Sequence, residues 1–178
     1  MSQEREAKFK VAGFSAVLRR LRGAGAKHLG TVLQTDRYFD TPAGRLRKAD
    51  RGVRIRLSRR LAGPGGLDPR ALLTFKGPRA PHGKLKVRRE VQTYVDDAAA
   101  AAAILEALGL VATMTLRKRR ASYRLGRCRV ELDELPYLGR FVEIEGPSRR
   151  AIEAARDLLG LAGPAITTPY TQMVRERG

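Results

Sequence analysis

Cys128 is the single cysteine of the chain. An internal disulfide and a cysteine-rich zinc site are therefore excluded, and a reduced, cytoplasmic setting is expected. Nowhere does the chain run through 18 or more apolar residues, so it contains no transmembrane helix. The alanine block 98–103 is short and reads as the core of a helix. The N-terminus shows no basic-then-apolar leader. A phosphate-cradling P-loop is missing, because Gly63-Pro64-Gly65-Gly66 lacks the lysine and the strand-to-helix setting. His28 and His82 stand apart and read as surface residues, and no Ser/His/Asp arrangement is present. Aromatic residues make up 6% of the chain, which disfavours a specific nucleic-acid binder built on stacking surfaces. Acids are also scarce, 18 Asp and Glu against 36 Lys and Arg, for a net charge of +18. Such a chain attracts polyanions such as nucleotides or polyphosphate. At 178 residues, 43% hydrophobic and 30% charged, residues 1–178 suffice for a single domain with a sizeable core.

What the chain does have is charge written in strand register. A strand sends residues i, i+2 and i+4 to one face. Glu4, Glu6 and Lys8 share a face in this way, and so do Arg54/Arg56, Lys86/Arg88/Glu90, Lys118/Arg120, Glu131/Asp133 and Glu143/Glu145. The apolar partners in Val53-Arg54-Ile55-Arg56-Leu57 fix the register there. Charges of both signs on one face of nearly every strand would be too costly in a dry core.

Along the chain, strands are expected at 4–11, 29–39, 45–50 (a short one), 53–57, 71–76, 84–94, 113–125, 128–134 and 140–146. Helices are expected at 14–21, from an Asp96 or Asp97 cap to Leu108, and from a Ser148 cap to Gly160, with a short one near Tyr170. Hairpin-type spacing implies antiparallel pairing and an α+β class. The fold that reconciles these features is a closed eight-stranded antiparallel β-barrel, a tunnel with a charged interior, whose apolar outer face lies under flanking helices and which has no free edges.

Three carboxylate pairs converging in one barrel would suit a hard divalent cation, which takes oxygen ligands from several segments and shares substrate phosphates. The arginines and lysines on the same faces suit phosphate, bidentately for Arg and as point charges for Lys. Cys128, between arginines, reads as a small strand residue with mild reactivity, because basic neighbours lower a thiol pKa.

The motifs resemble, in order and over nearly the whole chain, those of the CYTH superfamily, the triphosphate tunnel metalloenzymes. They are Glu4-x-Glu6-x-Lys8, Gln34-Thr35-Asp36-Arg37-Tyr38-Phe39-Asp40, Val53–Arg56, Leu73-Thr74-Phe75-Lys76-Gly77-Pro78, Arg88-Arg89-Glu90, Lys118-Arg119-Arg120 with Tyr123, Glu131-Leu132-Asp133, and Leu138–Glu145. The class IV adenylate cyclase branch is the nearest match. Where cyclase members can carry a His-Phe pair before the first motif and a serine before the C-terminal tyrosine, this chain has Met1-Ser2-Gln3 and Pro169. The resemblance implies that Glu4, Glu6, Asp133, Glu143 and Glu145 hold Mg²⁺ or Mn²⁺. It implies that Lys8, Arg54, Arg56, Lys76, Arg88, Lys118 and Arg120 bind phosphates, with Lys8, Lys76, Lys118 and Arg120 cast as catalytic, and that Glu90 orients its basic neighbours in the tunnel. The substrate is then a nucleoside triphosphate, tripolyphosphate or another organic triphosphate. The reaction is adenylate cyclisation or, alternatively, inorganic or thiamine triphosphate hydrolysis, since fold and motifs do not settle it. A non-catalytic polyphosphate or nucleic-acid binder is a further alternative, and a homodimer is left open.

Overall fold

A computed structural model of the chain describes residues 2–64, 69–80 and 86–177, with side chains described from Arg5 onward and not for Ala80, Lys86 or Val87. Glu4's side chain, His82 and the glycines of the 63–66 loop beyond Pro64 lie outside the described residues. The strands are β1 (Ser2–Val11), β2 (Lys27–Asp40), β3 (Gly52–Ala62), β4 (Ala71–Ala80), β5 (Lys86–Val95), β6 (Val111–Leu125), β7 (Cys128–Leu135) and β8 (Gly139–Glu145). The helices are α1 (Ser15–Gly23), α2 (Arg45–Lys48), α3 (Ala98–Ala107), α4 (Arg149–Leu159) and α5 (Tyr170–Arg175). No helix among the described residues is long and apolar enough to cross a membrane.

All pairings are antiparallel, and their order round the sheet is β1-β5-β4-β3-β2-β6-β7-β8, with β8 returning to β1. The sheet is strongly curled, but the expected closed barrel is reached only in part. β1 serves both edges in turn, pairing with β5 along Ser2–Glu6 and with β8 along Glu6–Val11. The two ladders overlap at Glu6 alone, because β5 begins at Lys86 and no described strand lies on that side of Ala7–Val11. Among the described residues the wall is thus staggered at β1, where the Ile166 N–H also donates to the Lys8 carbonyl at 2.7 Å.

Alternation sorts the strand residues as their sequence pattern requires. Ala7, Phe9, Val130, Leu132, Val142 and Ile144 point outward and pack under Val17 and Leu21 of α1 and Ile152, Ala155 and Leu159 of α4. Fully burying each such aliphatic side chain is worth roughly 1.5–3 kcal/mol. A second outer core joins Phe39, Val53, Ile55 and Ala71 to Ala101 and Ala102 of α3. The helix cover expected over the outer face is incomplete, since Leu57, Phe75 and Val91 remain exposed on β3–β5. Leu116, Leu135, Leu138, Phe141 and Tyr170 form a third cluster that seats the C-terminal segment.

The segment expected as a short strand at 45–50 is instead the helix α2. The Asp40 carboxylate accepts the backbone N–H groups of Thr41, Leu46 and Arg47, at 2.7, 2.8 and 3.1 Å. That supplies partners for donors a helix start leaves orphaned. Asp97, rather than Asp96, caps α3 by accepting the N–H groups of Ala99 and Ala100. Ser148 caps α4 as expected. Asp50, which closes the α2 turn, takes a left-handed conformation at φ 52°, tolerated by aspartate better than by most residues.

Candidate active site

The inward residues of the curled sheet line one cavity of about 910 Å³. Lys8, Arg54, Arg56, Lys76, Arg88, Lys118, Arg120, Glu6, Glu90, Glu143 and Glu145 all reach it. Asp133 stands behind this lining, completely buried, and is held by two of the cavity's cations. The structure thus brings the expected residues together, except for the undescribed side chain of Glu4, whose backbone pairs with Arg88.

The cations are positioned by buried acids. Arg56 donates two hydrogen bonds to Asp36, from Nε at 2.6 Å and Nη2 at 2.7 Å. Arg54 approaches the same carboxylate at 3.5 Å and donates to Thr74 Oγ1 at 3.3 Å. Burial would raise the Asp36 carboxyl, but Arg56 and then Arg54 hold it well below the usual carboxylate range. On β6, the other neighbour of β2, Arg120 grips Asp133 through Nε at 2.6 Å and Nη2 at 2.5 Å and Glu143 at 2.6 Å, while Lys118 reaches Asp133 at 3.1 Å. Burial, reinforced by Arg120 and only partly opposed by Asp133, pushes Lys118 down to about 8. Lys76 pairs with Glu90, which also accepts from Gln92 at 2.7 Å. Arg88 and Arg79 both engage Asp50.

Several buried polar atoms in this lining have no partner among the described residues, including Nε of Arg54 and of Arg88 and Oε1 of Gln34. Buried donors without acceptors are rare in folded proteins because they carry a desolvation cost of about 1–3 kcal/mol. Guanidinium N–H groups in this situation suit an anionic ligand.

The carboxylates gather on β1, β7 and β8. Glu6 lies directly opposite Glu145, and Glu143 directly opposite both Lys8 and Glu131. Like charges set opposite one another across strands are unfavourable, and a hard cation with oxygen ligands relieves them. Glu6, Glu143 and Glu145 therefore fit a divalent ion by donor type and register. The described residues contain no group of three acids already drawn together around an ion position. Asp133 fits less well, because both its oxygens are engaged by Lys118 and Arg120.

Tyr170, at the start of α5, closes over the cations. Its ring centroid lies 4.1 Å from Lys8 Nζ and 5.3 Å from Lys118 Nζ. Lys8 Nζ also donates to the Thr168 carbonyl at 2.5 Å. Burial and the neighbouring Glu143 push the Tyr170 hydroxyl well above its ordinary value. Sequence reasoning assigned no role to Asp36, Asp50 or Gln34, and it placed Glu131 only in the carboxylate pair with Asp133. The first and third were within reach of it, since Gln34, Asp36 and Tyr38 alternate on β2 in the same period as the named pairs.

Neither expectation for the lone residues holds in full. Cys128 is buried, lies 3.4 Å from the Ala151 carbonyl, and has its thiol pushed up by burial despite Arg127, so it is not activated. His28 is half-buried, with Nε2 3.1 Å from Thr31 Oγ1 and its ring 5.0 Å from that of Tyr123.

Comparison with known proteins bears on this cavity. The CYTH domain model matches residues 2–164. A Methanocaldococcus jannaschii protein named as a putative adenylate cyclase is 28% identical over 142 residues, covering 80% of this chain and 75% of that one. A Pyrococcus horikoshii OT3 protein of solved structure superposes with a TM-score of 0.80 at 25% identity, covering 98% of this chain and 99% of the other. A Hippeastrum protein superposes with a TM-score of 0.73 at 20% identity, covering 98% and 96%. That protein is described as a putative adenylyl cyclase with a dominant triphosphatase activity.

Proposed function

Because this chain belongs to the CYTH family, we propose that its cavity is a triphosphate tunnel and that the protein is a divalent-metal-dependent enzyme acting on a triphosphate. The observation that carries this reading is the meeting of two charged walls. Arg54, Arg56, Lys76 and Arg88 line one side, and Glu6, Glu143 and Glu145 the other, with Lys118 and Arg120 between them.

In this reading Arg54, Arg56, Arg88 and Lys8 bind phosphate oxygens, and Lys76, Lys118 and Arg120 stabilise charge that develops during transfer. Such pre-set donors in a water-poor cleft supply a large share of phosphoryl-transfer catalysis. Glu90 holds Lys76 in place, and Asp36 and Asp133 hold the arginine forks. Glu6, Glu143 and Glu145, joined by Glu4 on the same strand face, would hold Mg²⁺ or Mn²⁺. A bound divalent cation supplies neutralisation of phosphate charge and a lowered pKa for a hydroxyl or water.

The first reading is a class IV-type adenylate cyclase. The ribose 3′-oxygen attacks the α-phosphorus, the bond to the bridging oxygen breaks, pyrophosphate leaves with that electron pair, and the hydroxyl proton passes to solvent. The second is hydrolysis, in which water attacks the terminal phosphorus and the shortened phosphate chain leaves. The Hippeastrum neighbour favours keeping the second, because the same fold there is described as carrying triphosphatase activity.

The test is incubation with ATP, tripolyphosphate and thiamine triphosphate, each with Mg²⁺ or Mn²⁺, with product analysis for cyclic AMP, pyrophosphate and orthophosphate. Cyclic AMP with pyrophosphate supports cyclisation, and orthophosphate supports hydrolysis. Glu145→Gln should lower metal-dependent turnover about a thousandfold, a loss of several kcal/mol of charge stabilisation, while the thermal midpoint stays in place. No turnover of any substrate by the wild type overturns the enzyme reading. RNA binding that survives Glu143→Ala would then favour a polyanion-binding protein.

A further inference from the structure

Every cation in the cavity is a hydrogen-bond donor, which matches phosphate oxygens, since these only accept when ionised. The Oε1 of Gln34, an acceptor, does not match them. It lies on β2 directly between Ser58 of β3 and Lys118 of β6, lines the cavity and is only 8% exposed. Its Oε1 is buried without a hydrogen-bond partner among the described residues. A tripolyphosphate chain, all acceptors, leaves this oxygen unsatisfied at a cost of about 1–3 kcal/mol. An amino or hydroxyl group on an organic substrate satisfies it.

A second feature at one mouth points the same way. The strand ends that carry Tyr94 and Leu72 bring these two residues directly opposite each other on β5 and β4, and both line the cavity. Tyr94 is 49% exposed, and the Arg70 guanidinium lies 5.0 Å from its ring centroid. Leu72 is in turn directly opposite Arg56, so the apolar platform begins one strand spacing, about 4.8 Å, from a phosphate-facing arginine. An inorganic ligand has no use for an open aromatic ring beside an aliphatic side chain in a charged cavity. A base does, because its π-face stacks on tyrosine and on guanidinium planes.

Resting on the triphosphate reading above, we infer that Gln34 and Tyr94 are specificity-determining residues that select a nucleoside triphosphate over inorganic tripolyphosphate. Gln34 Oε1 accepts a hydrogen bond from an amino or hydroxyl group of the nucleoside. Tyr94, with Leu72 and Arg70, stacks the base at the mouth. The triphosphate runs inward from there to Arg56 and Arg54.

The test is calorimetric titration of the full chain with β,γ-methylene ATP and, separately, with tripolyphosphate, in the presence of Mg²⁺. Gln34→Leu keeps the shape and removes the acceptor; Tyr94→Ala removes the platform, and Tyr94→Phe keeps it. Gln34→Leu and Tyr94→Ala should each weaken nucleotide binding about tenfold, without weakening tripolyphosphate, and Tyr94→Phe should bind as the wild type does. Gln34→Leu that spares the nucleotide, or weakens both ligands equally, overturns the acceptor role; in the first case an ordered water is the partner of Oε1. Tyr94→Ala that spares the nucleotide overturns the platform. A wild type that binds tripolyphosphate but not the nucleotide overturns this inference alone, whereas one that binds neither ligand overturns the triphosphate reading with it.

Discussion

Asp36 and Asp133 stand on different strands, β2 and β7, yet each is sealed from solvent and grips two cations spaced i and i+2 on a neighbouring strand. Asp36 holds Arg54 and Arg56 of β3, and Asp133 holds Lys118 and Arg120 of β6. The two devices differ in what lies beyond them. Around Asp36 one carboxylate faces two guanidiniums, and the network ends at the Tyr38 hydroxyl, 3.5 Å away. Around Asp133, Arg120 continues to Glu143 at 2.6 Å and to Glu131 at 3.5 Å, and Arg129 reaches Glu131 at 2.5 Å, so three carboxylates face three cations. The same local design therefore leaves a positive excess on one wall and a balanced network on the other, next to the facing acids Glu6 and Glu145. A triphosphate with its divalent counterion carries the matching pair of charges, and the cavity is polarised for it before it binds.

The strongest way to break this comparison is Asp133→Asn. It leaves Lys118 and Arg120 close together in a buried site with their shared counter-charge gone. Removing one partner of a buried ion pair costs about 3–5 kcal/mol, and the completely buried Asp133 should sit at the upper end. Urea unfolding measures this loss directly.

Asp36→Asn should cost less, about 3 kcal/mol, since Arg54 keeps its bond to Thr74 when the carboxylate is lost. Its pH dependence sharpens the comparison. Asp36 has a folded-state pKa depressed below the ordinary 3.8. Its contribution to stability is thus fully present above that value and is lost as pH falls through the lower folded value. The difference in stability between wild type and Asp36→Asn should be constant near neutrality and shrink once pH drops below 3.8. A difference that stays level into acid would mean that the ion pair is not what holds Arg56.

Much of this polarity was legible in the chain. Period-2 alternation with apolar neighbours placed Lys8, Arg54, Arg56, Lys118, Arg120, Glu143 and Glu145 on one face, and the curled sheet gathers them. That reading worked because register follows from which face of a strand is apolar. The pairing of each acid with its cations was not legible, because Asp36 meets Arg56 across 20 residues and Asp133 meets Arg120 across 13, and strand neighbours are not written in local pattern. For that reason Asp36 went unassigned and Asp133 was grouped with the metal ligands. The stagger at β1 was hidden for a different reason, since periodicity says which face a strand buries but not how far two neighbours overlap. The α2 segment was misjudged because its helix depends on one carboxylate, Asp40, five residues before its start, and not on any periodicity of its own.

The mildest change, Arg56→Lys, separates charge from geometry on the positive wall. Lysine keeps the charge opposite Asp36 but replaces a two-bond fork by a single point contact, and it loses the second donor edge that a guanidinium offers to phosphate. Triphosphate affinity should fall about tenfold, with little change in stability because the counter-charge of Asp36 is retained. The same exchange at Arg120 should cost more, because that fork is divided between Asp133 and Glu143, and a single ammonium cannot hold both in the same geometry. Equal losses at the two positions, measured by calorimetry with one nonhydrolysable ligand, would show that net charge alone governs binding. Unequal losses in the stated order would show that the forks are set by the acids behind them, and that the two walls differ in construction as well as in charge balance.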